Sequence, residues 1–234
     1  DELRQMIMGK RSDRYQNVAI FSSSNPDFDL FTELPGPCLR ISELGLSHKS
    51  CQFLLSRGID PIKADKFFEI FYCFDSEQYP YAVDKLVFPV KFDNQRVCWQ
   101  CRYIGVPPNK NIPKYFSAPG SSIKSYLYNY DIAKDRPFVV VVEGILDVLK
   151  VGLNAVALFG KTLSQSQLSL LSKIDKPIVI FLDPDAKDDA KKIASQLSHL
   201  QVFTVLDAAN DPGKLSKEEL NACFSRFELD RVYD

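Results

Sequence analysis

The sequence lacks most of the bulk features that assign a function at sight. Its 234 residues carry a net charge of −1, so nothing global marks nucleic-acid or membrane binding. It has no apolar run long enough to cross a bilayer. The longest apolar region, Phe138 to Phe159, is broken by Glu143, Asp147 and Lys150. No signal-peptide pattern is visible. Cysteine is sparse and scattered: Cys38, Cys51, Cys73, Cys98, Cys101 and Cys223 lie mostly inside apolar stretches and read as reduced core or strand residues of a cytoplasmic protein. The one CxxC, Cys98-Trp99-Gln100-Cys101, has no second CxxC or CxxH at ribbon spacing, and Trp99 alternates with its cysteines as in a strand. That pattern argues against a zinc or redox site. What remains is an ordinary globular composition, 45% hydrophobic and 25% charged, long enough for one large domain or two small ones.

Charge is unevenly spread. From Asp84 to Lys124 seven basic residues (Lys85, Lys91, Arg96, Arg102, Lys110, Lys114 and Lys124) stand against two acids, whereas from Asp183 onward eleven acids face seven bases. A basic segment beside an acidic one suits a polyanion track leading to a metal site.

Residues 1–35 read as a lead-in whose abrupt acidic start suggests a piece of something longer. A helix is expected around His48 to Arg57 with Gly58 as its stop. Phe67 to Phe74 looks strand-like, and Leu86 to Val90 with Val97 to Ile104 read as a hairpin around Phe92-Asp93-Asn94-Gln95. Gly105 to Gly120, rich in Pro and Asn, reads as a surface loop. After Tyr130 the pattern changes to alternating strands (138–142, 154–159, 177–182, 201–206) and helices (144–151, 164–173, 186–199), followed by a short helix near Ser216. Near-continuous apolar strands separated by helices predict a parallel sheet covered on both faces. The overall class is α/β, with a mixed α+β portion first.

Glu143 directly follows the run Phe138 to Val142; Asp183 and Asp185 follow Ile178 to Leu182 as Asp-Pro-Asp. A carboxylate after a buried strand is costly unless it is exposed at the sheet edge or paired with a cation. Ligands of open α/β sheets bind outside the carboxyl ends of the strands. A helix starting at Gly144 would bring Asp147, four residues on, near Glu143. Hard divalent cations suit such carboxylates; the plainer reading makes these acids helix N-caps at positive dipole ends.

These residues, with Ala157-Leu158-Phe159-Gly160-Lys161-Thr162-Leu163-Ser164 and Gln167, strongly resemble a TOPRIM domain. Upstream, Asp84 to Val90, Arg102 and Pro113-Lys114-Tyr115-Phe116-Ser117-Ala118-Pro119 resemble the polymerase core of DnaG-type primases. Leu127-Tyr128-Asn129 with Ala133-Lys134 resembles the link between the two parts, Phe53 to Ile59 the start of the core, and Asp211-Pro212 the acidic turn after the fourth strand. The resemblance covers about residues 36–220 and implies a basic subdomain (36–134), a TOPRIM domain (135–212) and a helical tail (213–234). It implies template-directed RNA primer synthesis on single-stranded DNA from NTPs. Mg²⁺ or Mn²⁺ would be held by Glu143, Asp147, Asp183, Asp185 and Asp211, with Glu143 a ligand or general base. Lys85, Arg102, Lys114, Lys124 and Lys161 would contact template or NTP phosphates. A replicative helicase would be the partner, in the host cytoplasm if the chain is phage-encoded.

The chain also departs from the pattern. The glycine usual after the Asp-x-Asp is replaced at Lys187-Asp188, Lys161 replaces a smaller residue, and Gly213 stands where a second acid often follows the Asp-Pro. The last departure puts a full second metal site in doubt. The absent zinc ribbon and helicase suggest a phage-type fragment. Two other readings stay open: a TOPRIM nuclease using the same metals, and a non-catalytic nucleic-acid or helicase-binding module. A topoisomerase would need a nucleophilic tyrosine on a further domain.

Overall fold

The computed structural model describes residues 33–208 and 210–229, which fall within one compact unit. The expected lead-in therefore lies outside the described residues except for 33–35. The first half runs β1 (Cys38–Arg40), α1 (Lys49–Leu55), α2 (Pro61–Phe68), β2 (Phe71–Cys73), β3 (Lys85–Phe92), β4 (Gln95–Tyr103) and β5 (Tyr115–Ser117). Its strands form an antiparallel sheet in sequential order.

The β3–β4 hairpin turns through Asp93 and Asn94, at φ +52° and +60°. Two left-handed residues give the twist that antiparallel strands need, and Asp and Asn tolerate it better than most side chains. Along β3, Leu86, Phe88 and Val90 enter one core layer and Val87 enters another; along β4, Cys98 joins the first layer and Trp99 and Cys101 the second. Cys98 and Cys101 therefore point to opposite faces of the sheet and cannot share a metal ion. Both thiols are free, and burial pushes each up to about 12.

Two local readings change. The strand-like stretch Phe67 to Phe74 begins inside α2 and is extended only over Phe71–Cys73. The helix wins because Asp60 caps it, accepting from Ile62 N at 2.9 Å and Lys63 N at 3.0 Å, with Pro61 at the first helical position. The surface loop from Gly105 contains β5, which pairs Tyr115 with Arg102 and Phe116 with Cys101.

The second half runs α3 (Tyr130–Ala133), β6 (Val139–Val142), α4 (Ile145–Val151), β7 (Ala155–Ala157), α5 (Gln165–Leu171), β8 (Ile178–Ile180), α6 (Lys187–Gln196), β9 (Val202–Thr204) and α7 (Lys217–Ser225). The sheet is parallel, in the order β7-β6-β8-β9. Side chains alternate across it. Val140 and Val142 pack with residues of α4 and α7, Val139 and Val141 with residues of α3, α5 and α6. Helices thus cover both faces, which is why β6 is apolar throughout. At the β7 edge Tyr128 and Ala157 exchange backbone hydrogen bonds of 3.2 and 3.3 Å, capping a strand edge that would otherwise be open. The cluster containing Val140 and Val142 also takes in Leu86, Phe88 and Val90, so the two sheets share a core. Among the described residues no helix is long and apolar enough to cross a membrane.

One buried acid ties the first half together. Asp65, fully buried in α2, meets Arg40 Nε at 2.8 Å and accepts from Ile70 N at 2.7 Å and Ser42 N at 3.1 Å. Asp65→Ala would strand two backbone donors and one guanidinium donor. It should cost about 3 kcal/mol, read as a lowered urea midpoint at unchanged slope; a loss below about 0.5 kcal/mol would show that water replaces the carboxylate without penalty.

Candidate metal centre

Parallel pairing decides where the acids emerge. Val141 sits opposite Ile180 across β6 and β8, and the ladder continues with Phe181 N donating to Val141 O at 2.9 Å. The residues that follow both strands therefore leave the sheet at the same edge. Glu143, Asp183 and Asp185 each offer a carboxylate oxygen within 4.8 Å of the other two. Asp183 N donates to Glu143 Oε1 at 3.2 Å, fixing one acid against the backbone of the next. Pro184 opens a 3-10 turn over Pro184–Ala186, with Asp183 extended before it at φ −61°, ψ 152°. The second Asp-Pro repeats this turn: Asp211 has the same φ and ψ, followed by a 3-10 turn over Pro212–Lys214.

Asp147 joins from the first turn of α4, where its Oδ2 accepts from Gly144 N at 3.0 Å. Asp147 is thus the third residue of the helix, reaching back to the N-cap Gly144, and is not itself an N-cap. Asp183 and Asp211 precede their turns without making a side-chain cap. A Cβ placed on Gly213 would lie 2.4 Å from Asp147 Oδ1 and 3.3 Å from Asp211 Oδ1. Asp147 and Asp211 therefore converge on Gly213, where a side chain would have to displace the Asp147 carboxylate.

Crowded carboxylates resist ionising. Burial, then the Asp183 charge, raises the proton affinity of Glu143. Burial, then Asp211 and Asp185, does the same for Asp183, opposed by Lys214 and Lys161. Burial, and then Asp183, pushes Asp147 up to about 7. A cation among these groups relieves that repulsion. All-oxygen donors of this kind fit a hard divalent ion.

The cations have different fates. Arg102 is buried at 3% exposure, stacked between Phe53 (4.6 Å) and Tyr115 (5.3 Å), with Nη1 on Tyr103 O at 2.5 Å and no partner for Nε among the described residues. Asp147 is among the charges acting on it, which ties β4 to the acidic cluster. Lys161 Nζ lies 3.5 Å from Asp185 Oδ2. Lys114 is exposed. Lys85, placed on the polyanion path by the sequence, turns inward: its ammonium donates to Val83 O at 2.9 Å and lies 4.0 Å from the Tyr103 ring. Lys124 donates to Leu158 O and Thr162 O, both at 2.9 Å. It clamps the loop after β7, where Phe159 is held at φ +57°, a conformation that bulky residues adopt only when their surroundings impose it. Trp99 is fully buried and packs edge-on to Tyr79 at 5.2 Å.

Three further residues belong to this surround. The Tyr115 hydroxyl would lie 3.7 Å from a Cβ on Gly144, and Arg102 and Asp147 both act on its ionisation. Arg57 acts on Arg102, Tyr115 and Lys214. Lys214 meets Asp211 Oδ2 at 2.6 Å. Tyr115 and Arg57 lie inside motifs visible in the sequence; Lys214 follows the second Asp-Pro with no motif to flag it.

No family model matches the chain. It is 32% identical over 122 residues to the DNA primase of Helicobacter pylori, a match spanning 47% of this chain and 21% of that protein. The chain thus matches about a fifth of that relative's length. Its fold is similar to the zinc-binding and RNA polymerase domains of Aquifex aeolicus primase, with TM-score 0.63 and 26% identity over 79% of this chain and 57% of that one. It is similar also to a DnaG primase catalytic domain bound to single-stranded DNA, with TM-score 0.61 and 19% identity over 80% of this chain and 73% of that one. The antiparallel sheet joined to a helix-flanked parallel sheet matches the architecture of primase catalytic cores.

The Asp147 shift predicts a pH signature for the metal-free protein. Between the unfolded value of 3.8 and the folded value of about 7, the folded chain keeps a proton that the unfolded chain has lost. Its contribution therefore favours folding at low pH and is lost as pH rises toward 7. The melting temperature should fall less steeply over that range in Asp147→Asn than in the unchanged protein. Parallel pH profiles would remove Asp147 as the cause.

Proposed function

We propose that the chain is the catalytic core of a DNA primase, making short RNA primers on single-stranded DNA from nucleoside triphosphates. The observation that carries this reading is the convergence of Glu143, Asp183 and Asp185 within 4.8 Å of one another, in a fold similar to primase catalytic domains. On this reading residues 36–134 form the basic subdomain, 135–212 a TOPRIM domain and 213–234 a helical tail. The donor set is all carboxylate, the chemistry that Mg²⁺ or Mn²⁺ takes in phosphoryl transfer. Such an ion, held by Glu143, Asp183 and Asp185 with Asp147 and Asp211 beside them, would neutralise and orient the triphosphate.

The chain's own groups do the positioning. In the reaction the primer's 3′-hydroxyl oxygen attacks the α-phosphorus, a new P–O bond forms as the α–β bridge breaks, and pyrophosphate leaves. Arg102, packed against two rings and with no partner for Nε among the described residues, would be a fixed cation behind the acids, with the Asp147 charge acting on it. Lys161, at the rim beside Asp185, offers an exposed ammonium to phosphate oxygens. Lys114 lies on the template path. Lys85 and Lys124, committed to carbonyl groups, act by holding β3 and the loop after β7 in place. A replicative helicase is the partner that this role calls for.

The direct test incubates the protein with single-stranded DNA, four NTPs and Mg²⁺ or Mn²⁺ and resolves the products on a gel. Short RNA should form, and Asp183→Ala or Asp185→Ala should remove it; undiminished synthesis by either variant would refute the assigned site. DNA cleavage without NTPs, and no RNA, would instead identify a nuclease. Lys114→Ala should weaken DNA binding and lower the slope of log affinity against log salt by about 1. An unchanged slope would take Lys114 off the template path.

A further inference from the structure

The acidic cluster holds more carboxylates than one ion requires. Glu143, Asp183 and Asp185 make one group with oxygens within 4.8 Å, while Asp147 and Asp211 meet around Gly213. Phosphoryl-transfer sites with this much negative charge commonly hold two ions about 3.5–4 Å apart. This chain balances its second group differently. Lys214 reaches back from the turn Pro212–Lys214 to within 2.6 Å of Asp211 Oδ2. We propose that Lys214 takes the place of a second divalent ion, so that the chain binds a single ion at Glu143, Asp183 and Asp185. This inference rests on the metal-centre reading above and adds how many ions that centre takes.

Two observations support it. First, Lys214 meets Asp211 at 2.6 Å with the carboxylate only 20% exposed, although the lysine itself is 66% exposed. The comparable contact in the first group, Lys161 to Asp185, is longer at 3.5 Å and exposed at 50% and 77%. Exposed pairs of that kind are weak and yield to a divalent ion. Second, Gly213 brings no further carboxylate to the turn, and a Cβ there would start 2.4 Å from Asp147 Oδ1, so that the carboxylate held by the Gly144 N–H would have to shift. At Asp211 the ammonium supplies one positive charge where an ion would supply two, and it needs no metal.

The test counts bound Mn²⁺ by electron paramagnetic resonance, with calorimetric titration for affinity, in the unchanged protein and in Lys214→Ala, Lys214→Arg and Asp183→Ala. One Mn²⁺ per chain is expected for the unchanged protein and for Lys214→Arg, and a second in Lys214→Ala, where Asp211 is released beside Asp147. Two ions in the unchanged protein, or a count of one in Lys214→Ala, would overturn the proposal. Asp183→Ala should lose the ion altogether; if it still binds one Mn²⁺ with unchanged affinity, the metal-centre reading fails, whatever Lys214 does.

Discussion

Two buried parallel strands that end side by side in carboxylates set the terms for the rest of this molecule. The β6–β8 pairing leaves Glu143 and Asp183 at one sheet edge, and the Asp-Pro turn adds Asp185. Like charges at that spacing repel, and partial burial takes away the water that would screen them. The upward shift of Glu143, Asp147 and Asp183 records the cost. The fold bears it because the apolar layers on both faces of the sheet lie away from that edge and do not depend on the acids.

Much of the neighbouring structure holds those groups in register. Gly213 gives Asp147 room, Gly144 gives it a donor, and Lys124 ties the loop after β7 to two carbonyls. On the other side, Arg102 and Tyr115 come from paired positions on β4 and β5, so the antiparallel sheet delivers a buried cation beside the acids of the parallel one. The shared core that includes Phe88 and Val140 keeps the two sheets in fixed relation. A site built this way is stiff at its base and adjustable at its rim, where Asp185 and Lys161 remain exposed.

The parallel half was legible because buried central strands leave long Val and Ile runs with acids or glycine at their ends. Its limits are less so: the apolar run continues to Phe159, whereas β7 stops at Ala157 before the backbone turns left-handed at Phe159. The first half hid more. Three-residue strands such as β1 and β5 are too short to show an alternating period, and the Arg40–Asp65 pair joins residues 25 apart with no local signature. The acids of the candidate site could be read off because each follows an apolar strand. The lysines could not, since a lysine in sequence looks the same whether it meets phosphate, a carbonyl or a carboxylate. Carbonyls of the same fold claim Lys85 and Lys124, and Asp211 claims Lys214.

The most direct measurement is anomalous diffraction from a crystal soaked in Mn²⁺. A peak is expected within about 2.3 Å of carboxylate oxygens from Glu143, Asp183 and Asp185. A well-ordered site with no peak there, or with these side chains turned away from one another, would contradict the proposed metal centre.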